Sequence, residues 1–191
     1  MNVLFINAAF RDGSRTLRLA EYYLQKHHAG DAVTRLELGE NPPAPLDAPR
    51  LREYNAAVAA RGFSGEMFDC ARQFAQADVI LIAAPFWNFG LPAVLSAYLE
   101  LVCSQGVSFD IDEKGSYVSL CRAKKLVFFT TAGGYIPEPN CAFGFIRQLC
   151  GAFFGISDVR CFSAEGLDIA GADVEAALER TCRSMDCGES K

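Results

Sequence analysis

The sequence predicts an α/β fold: a doubly wound parallel sheet of five strands in the order 2-1-3-4-5, with helices on both faces. Three observations carry this. Strand and helix signals alternate along the chain. Residues 79–84 are a short continuous apolar run, the mark of a central parallel strand covered on both sides, and 124–131 read as another buried strand. The turn after the first strand lacks the Gly-x-Gly-x-x-Gly of the competing dinucleotide-binding fold, which would also need a sixth strand.

Each element follows from its residues. Residues 2–7 are a compact apolar strand. Residues 14–28 are helical, with Leu17, Ala20 and Leu24 on one face. A second strand at 32–38 sets Val33 and Arg35 among Leu36 and Leu38. Four prolines (Pro42, Pro43, Pro45, Pro49) make 41–49 a loop. An Ala-rich helical stretch at 50–76 breaks near Gly62 to Gly65. The third strand, 79–84, stops at Pro85, and a helix at 91–103 tolerates Pro92 in its first turn. Residues 107–120 are mixed, an excursion or short hairpin. The fourth strand (124–131), an apolar helix (143–154), the fifth strand (159–163) and an amphipathic helix (171–185) complete the series. Nothing resembles a repeat or an interdomain linker, so residues 1–191 read as one domain.

Composition excludes several classes. With 51% hydrophobic and 21% charged residues, disorder is excluded. A net charge of −5 argues against a nucleic-acid binder. The longest apolar run, 79–87, is far short of the roughly 20 residues of a membrane helix. The start of the chain reads as a strand rather than a signal peptide. Eight cysteines contain no Cys-x-x-Cys pair, so zinc and iron–sulfur sites are not expected and no metal site is proposed. Buried free thiols in a reducing cytoplasm are the expectation.

In such a sheet the ligand lies beyond the carboxyl ends of the strands, at the switch between strands one and three. Three loops are therefore informative. After strand one, Gly13, Ser14, Arg15 and Thr16 open a helix. Free backbone N–H groups, the helix dipole, two hydroxyls and a guanidinium there suit a phosphate; Ser14 could equally be a plain N-cap. After strand three, Phe86, Trp87 and Phe89 surround Asn88, a platform for a flat ligand with a polar edge reader. After strand four, Thr131, Ala132, Gly133 and Gly134 let backbone approach a ligand closely. A phosphate cup, an aromatic floor and a glycine wall together imply a flat phosphorylated cofactor, FMN.

The run Ala84-Pro85-Phe86-Trp87-Asn88-Phe89-Gly90-Leu91-Pro92, followed by Gly106-Val107-Ser108-Phe109, resembles the FMN-dependent NADH:quinone oxidoreductase/azoreductase family of flavodoxin-like proteins. So do Thr131-Ala132-Gly133-Gly134, Phe153-Phe154-Gly155-Ile156 and Ala164-Glu165-Gly166, in register over nearly the whole chain. The resemblance implies FMN, with NADH or NADPH as donor and a quinone or azo compound as acceptor; a single flavin site with aromatic walls predicts a ping-pong turnover. It implies that Ser14, Arg15 and Thr16 hold the phosphate. Phe86, Trp87, Asn88 and Phe89 would lie along the isoalloxazine ring, and Thr131 to Gly134 near its pyrimidine edge. It implies a homodimer, with Phe109 and Phe153 lining the substrate space, and the apolar 143–154 stretch offers a surface for the dimer. Three positions depart from the family pattern: Ala8 replaces a phosphate-loop Ser, Ala132 an Arg, and Ile111 an aromatic.

Other residues read blandly. His27 and His28 look like a solvated helix end, Lys124 and Lys125 like solvated charges on the far edge. Glu165 could orient a flavin loop or stabilise a turn; Tyr135 could donate a proton or pack. A phosphoacceptor signalling domain would need carboxylates where Ala84 and Ala8 stand. A flavodoxin-like electron carrier docking on protein partners is the alternative function.

Overall fold

A computed structural model of the chain describes residues 1–188. In order, β1 (Asn2–Asn7), α1 (Arg15–His28), β2 (Ala32–Glu37), α2 (Ala48–Ala59), α3 (Asp69–Gln76), β3 (Val79–Ala83) and α4 (Ala93–Val102) form the first half. Then come the hairpin strands β4 (Phe109–Ile111) and β5 (Tyr117–Ser119), followed by β6 (Lys125–Thr131), α5 (Cys141–Leu149), β7 (Asp158–Ala164) and α6 (Val174–Cys187). The five-stranded sheet is parallel throughout, in the order β2-β1-β3-β6-β7. With the hairpin set aside, this is the order 2-1-3-4-5 that the alternation predicts.

The apolar runs become central strands because successive residues face opposite sides. Leu4, Ile6, Ile80, Ile82, Leu126 and Phe128 build one core with side chains from α3, α4 and α5. Val3, Phe5, Val79, Leu81, Val127 and Phe129 build the other with α1 and α6. Every residue of β3 is buried. A strand serving two cores cannot slip by one residue without exchanging both sets, so the register is firm. Asn7 pairs with Ala83, and Ala83 with Phe129. The loops leaving β1, β3 and β6 therefore open on one edge.

Several element ends differ from the sequence expectation, each for a local reason. Asp47 caps α2 by accepting from the Arg50 N–H, so Pro49 belongs to the first helical turn, where its missing N–H costs nothing. Pro92 is the N-cap of α4 rather than part of its first turn. The 143–154 stretch is α5 continued by a π-helical turn (Cys150–Phe154), which Gly155 ends in a left-handed conformation. Residues 107–120 resolve into an antiparallel hairpin.

His28 is not solvated as expected. It is buried against Tyr23, and its Nδ1 lies 2.8 Å from Asp31 Oδ2, so the turn after α1 provides the polar partner that lets the ring go inside. Lys125 is half-buried, its ammonium 5.5 Å from the Tyr23 ring centroid. Cys141 and Cys187 are exposed, a departure from eight buried thiols, although all eight are free.

Candidate active site

The end of β1 is organised by Asn7. Its side chain is buried, donates to Glu37 Oε2 at 2.5 Å, and accepts from the Ala9 N–H at 2.8 Å. The chain then turns through Gly13, at φ 66°, into the N-cap Ser14. Ser14 Oγ accepts from Leu17 N at 3.2 Å. This satisfies one orphan donor of α1 and leaves the amides of Arg15 and Thr16 at the positive end of the helix. The N-cap reading of Ser14 thus holds, and its hydroxyl proton stays free to donate outward.

Thr16 is fully buried, and its hydroxyl lies 2.6 Å from that of Thr131. Its side chain therefore joins two walls rather than projecting as a free donor. Arg15 reaches across the opening: Nη1 donates to Asp168 Oδ1 at 2.7 Å and to the Leu167 carbonyl at 3.4 Å.

The aromatic loop is a tight two-residue turn. Trp87 and Gly90 exchange backbone hydrogen bonds at 3.3 and 2.8 Å, and Asn88 and Phe89 occupy the turn positions at φ 50° and 61°. That geometry normally selects Asn-Gly or Gly-Gly. A phenylalanine there carries backbone strain, which concentrates at functional sites. The loop is anchored at its base by Phe86 N donating to the Thr131 carbonyl at 2.9 Å. Trp87 is half-exposed and meets the Phe10 ring edge-on at 6.2 Å between centroids.

The third wall is an extension of the sheet. Beyond the ends of β6 and β7, backbone hydrogen bonds continue from Ala132 N to Ala164, Gly166 N to Gly134, Leu167 N to Ala132 and Asp168 N to Gly133. A Cβ on Gly133 would lie 2.3 Å from Asp168 Oδ2, so glycine is what lets the carboxylate rest in this position. Glu165 stabilises the turn, accepting from Ile136 N at 3.0 Å and from the Ser163 hydroxyl at 3.2 Å.

These walls enclose one cleft. Its lining includes Ser14, Arg15, Thr16, Phe86, Trp87, Thr131, Ala132 and Gly133 of the residues singled out in the sequence. Asn88, Phe89 and Gly134 stand outside that lining, and Tyr135 is exposed. Phe109 and Phe153 are also elsewhere. They stack at 4.5 Å, with Tyr117 packed edge-on to both, where the hairpin meets the π-helical turn. The sequence reading missed Phe10, Arg11, Pro85, Leu167 and Asp168, which also line the cleft. Applying the carboxyl-edge rule to the loop after the last strand would have found Leu167 and Asp168.

Chemically, the cleft offers a helix start and guanidinium for an anion, aromatic faces for a flat ring, and close-approaching backbone for a polar edge. Among the described residues, no cluster of His, Cys, Asp or Glu could hold a metal ion. No helix among them is long and apolar enough to cross a membrane.

Comparison with known proteins agrees with this architecture. A relative from Clostridium acetobutylicum, named FMN-dependent NADH:quinone oxidoreductase 2, is 33% identical over 94% of this chain and 93% of its own. The crystal structure of an azoreductase from Bacillus anthracis (strain Sterne) superposes with a TM-score of 0.81 at 23% identity, covering 98% of this chain and 99% of that one. An FMN-dependent NADH-azoreductase from Bacillus anthracis (strain Ames Ancestor), solved in complex with FMN, gives 0.78 at 16% identity over 97% and 98%. The family model described as flavodoxin-like fold matches residues 1–186. With that match and that relative, the chain belongs to the flavodoxin-like fold family, beside proteins named as FMN-dependent NADH:quinone oxidoreductases.

Proposed function

We propose that this protein is an FMN-dependent oxidoreductase that carries two electrons from NADH or NADPH to quinones or azo compounds. The observation that carries this reading is the convergence, in one cleft, of the α1 N-terminus with Arg15, the Phe10–Trp87 aromatic pair and the Gly133 wall. The relative's name supports the same cofactor and reaction.

The residues present fit FMN. The amides of Arg15 and Thr16, the Ser14 hydroxyl and the Arg15 guanidinium would hold the phosphate. Phe86 and Trp87 would lie along the ring system, with Asn88 and Phe89 at its outer edge. Backbone around Ala132, Gly133 and Gly134 would face its polar edge, with the buried Thr16–Thr131 pair fixing that wall to the phosphate cup. Bound FMN would supply the two-electron chemistry, taking a hydride equivalent from the nicotinamide and passing it to the acceptor. The chain's part is positioning and electrostatics: an aromatic floor for flat substrates, and backbone N–H donors of the Gly133 wall toward negative charge at the polar edge. No side chain in these loops is required as an acid or base; water delivers protons.

Donor and acceptor take turns over the same floor, a ping-pong cycle. The protein is a homodimer. Most of the 143–154 apolar surface is spent on the protomer's own core, through Phe143, Ile146, Leu149 and Phe154. What supports the dimer is the exposed set Ile111, Tyr117, Val118 and Leu120 on the hairpin, with Phe145 on α5. There Phe109 and Phe153 would sit close to a second subunit. The free thiols support a reducing, cytoplasmic setting.

Initial rates over a matrix of NADH and benzoquinone concentrations test this reading. Parallel double-reciprocal lines are expected. Intersecting lines would overturn the shared-floor cycle, and FMN binding without NADH oxidation would leave the electron carrier. Light scattering at micromolar concentration should give twice the mass of one chain.

A further inference from the structure

Arg15, the cation at the mouth of the phosphate cup, is already paired. Its Nη1 lies 2.7 Å from Asp168 Oδ1, although the two residues are 153 positions apart. The pairing is built into the wall rather than made by a drifting surface side chain. The Asp168 amide donates to the Gly133 carbonyl at 2.9 Å, and the carboxylate rests over Gly133 in the space any side chain there would fill. Leu167, next in sequence, offers its carbonyl to the same guanidinium nitrogen at 3.4 Å. Arg15 is about one-quarter exposed and Asp168 about two-thirds exposed, so the pair bridges the inner cleft and solvent.

We infer that Asp168 is a resident anion of the cleft that sets how tightly the site holds a phosphate. This inference rests on the FMN reading above. A carboxylate beside Arg15 cancels the formal charge that a phosphate would meet there. A phosphate approaching the start of α1 must either take the guanidinium from Asp168 or bind next to it against its repulsion. Either way the carboxylate weakens a phosphorylated ligand and leaves a neutral one with the same ring almost untouched. Arg11 also lines the cleft and keeps the site cationic when Asp168 is engaged. Asp168 is thus a specificity-determining residue, acting through Arg15, that holds the cofactor in an exchangeable range.

The test compares dissociation constants for FMN and riboflavin, read from quenching of flavin fluorescence, in the wild type, D168N, R15Q and the double variant. Asn keeps the shape and the polar contact over Gly133 while removing the charge, and Asp168→Ser repeats the comparison should Asn perturb the wall. The expected result is FMN binding tightened by about tenfold in D168N, the scale of one charge acting a few ångströms from another at a partly exposed site. Riboflavin should be unchanged, and the effect of D168N should vanish in the R15Q background. Equal weakening of both ligands would show Asp168 to be a brace for the wall, and an unchanged FMN-to-riboflavin ratio would show the charge to be irrelevant; either overturns the inference while FMN binding stands. A wild type that binds neither flavin removes the functional reading and this inference with it.

Discussion

The side-chain oxygens of Thr16 and Thr131 lie 2.6 Å apart, joining the first turn of α1 to the end of β6 across 115 residues of sequence. Both residues are buried, so each hydroxyl depends on the other in a place that water reaches poorly. Thr16→Val should lower the unfolding free energy by about 1–2 kcal/mol, because Thr131 then keeps a buried hydroxyl without this partner. The double change T16V/T131V should cost less than the sum of the two single changes, since it removes both ends of the contact. Urea unfolding of the four proteins measures this coupling; strictly additive losses would mean the two hydroxyls do not stabilise each other.

Trp87→Ala removes a half-exposed aromatic face that meets Phe10 edge-on. FMN and riboflavin should lose similar affinity, about 1–3 kcal/mol, because the ring system is common to both. Arg15→Glu should behave differently and weaken FMN more than riboflavin. Titration of both variants with both flavins separates floor from phosphate cup, and a Trp87→Ala loss confined to FMN would contradict the assignment of the floor.

Gly39→Ala reaches the same wall from behind. An added Cβ would sit 2.4 Å from Cγ and 2.5 Å from Cβ of Phe10, so a swing of the ring about Cβ alone does not clear it. Phe10 must shift and its contact with Trp87 must open, at about 1–3 kcal/mol of stability. Both flavins should bind more weakly by a similar factor, and thermal unfolding should fall; unchanged binding would place Phe10 outside the ring contact.

Brief alkylation of the native protein should label Cys141 and Cys187, which are exposed, and spare the core thiols. Burial pushes Cys103 up to about 11 and both Cys121 and Cys150 up to about 12, so little thiolate is present near neutral pH. NADH oxidation should survive the labelling. Peptide mapping by mass spectrometry locates the labelled sites, and loss of activity with flavin still bound would give a thiol a role in turnover.

The sheet was legible because a parallel strand serving two cores needs nearly every residue apolar, and 79–84 and 124–131 have no other use in a chain of this size. Much of the cleft was legible for a related reason: the switch-point rule selects loops by position, and three of them carry distinctive residues. The pairings across the cleft were not. Asp168 reads as one more polar loop residue until the β6–β7 ladder runs on past the sheet and brings it over Gly133. Thr16 looks like a phosphate donor until its depth shows it facing Thr131. His28 misled for a local reason, its acidic partner Asp31 standing only three residues on, in the turn that makes burial of an imidazole tolerable. Contacts between residues more than a hundred positions apart leave no local spacing to read.

The continuation of the β6–β7 ladder through Ala132, Gly166, Leu167 and Asp168 has a consequence for motion. Amide protons locked in a ladder of several successive bonds exchange with solvent more slowly than those of a loop held at a few points, which exchange through local opening. Four such bonds tie the wall of the cleft to the β7 edge of the sheet, so it should open less readily than a turn held at a few points, even though it consists of loop residues. The 85–90 turn is held by Phe86 N at its base and by its own Trp87–Gly90 bonds, with Asn88 and Phe89 facing solvent. Deuterium uptake should therefore divide the site in two, a slow wall and a fast floor. Ligands would then enter and leave by displacement of the aromatic turn while the glycine wall stays fixed.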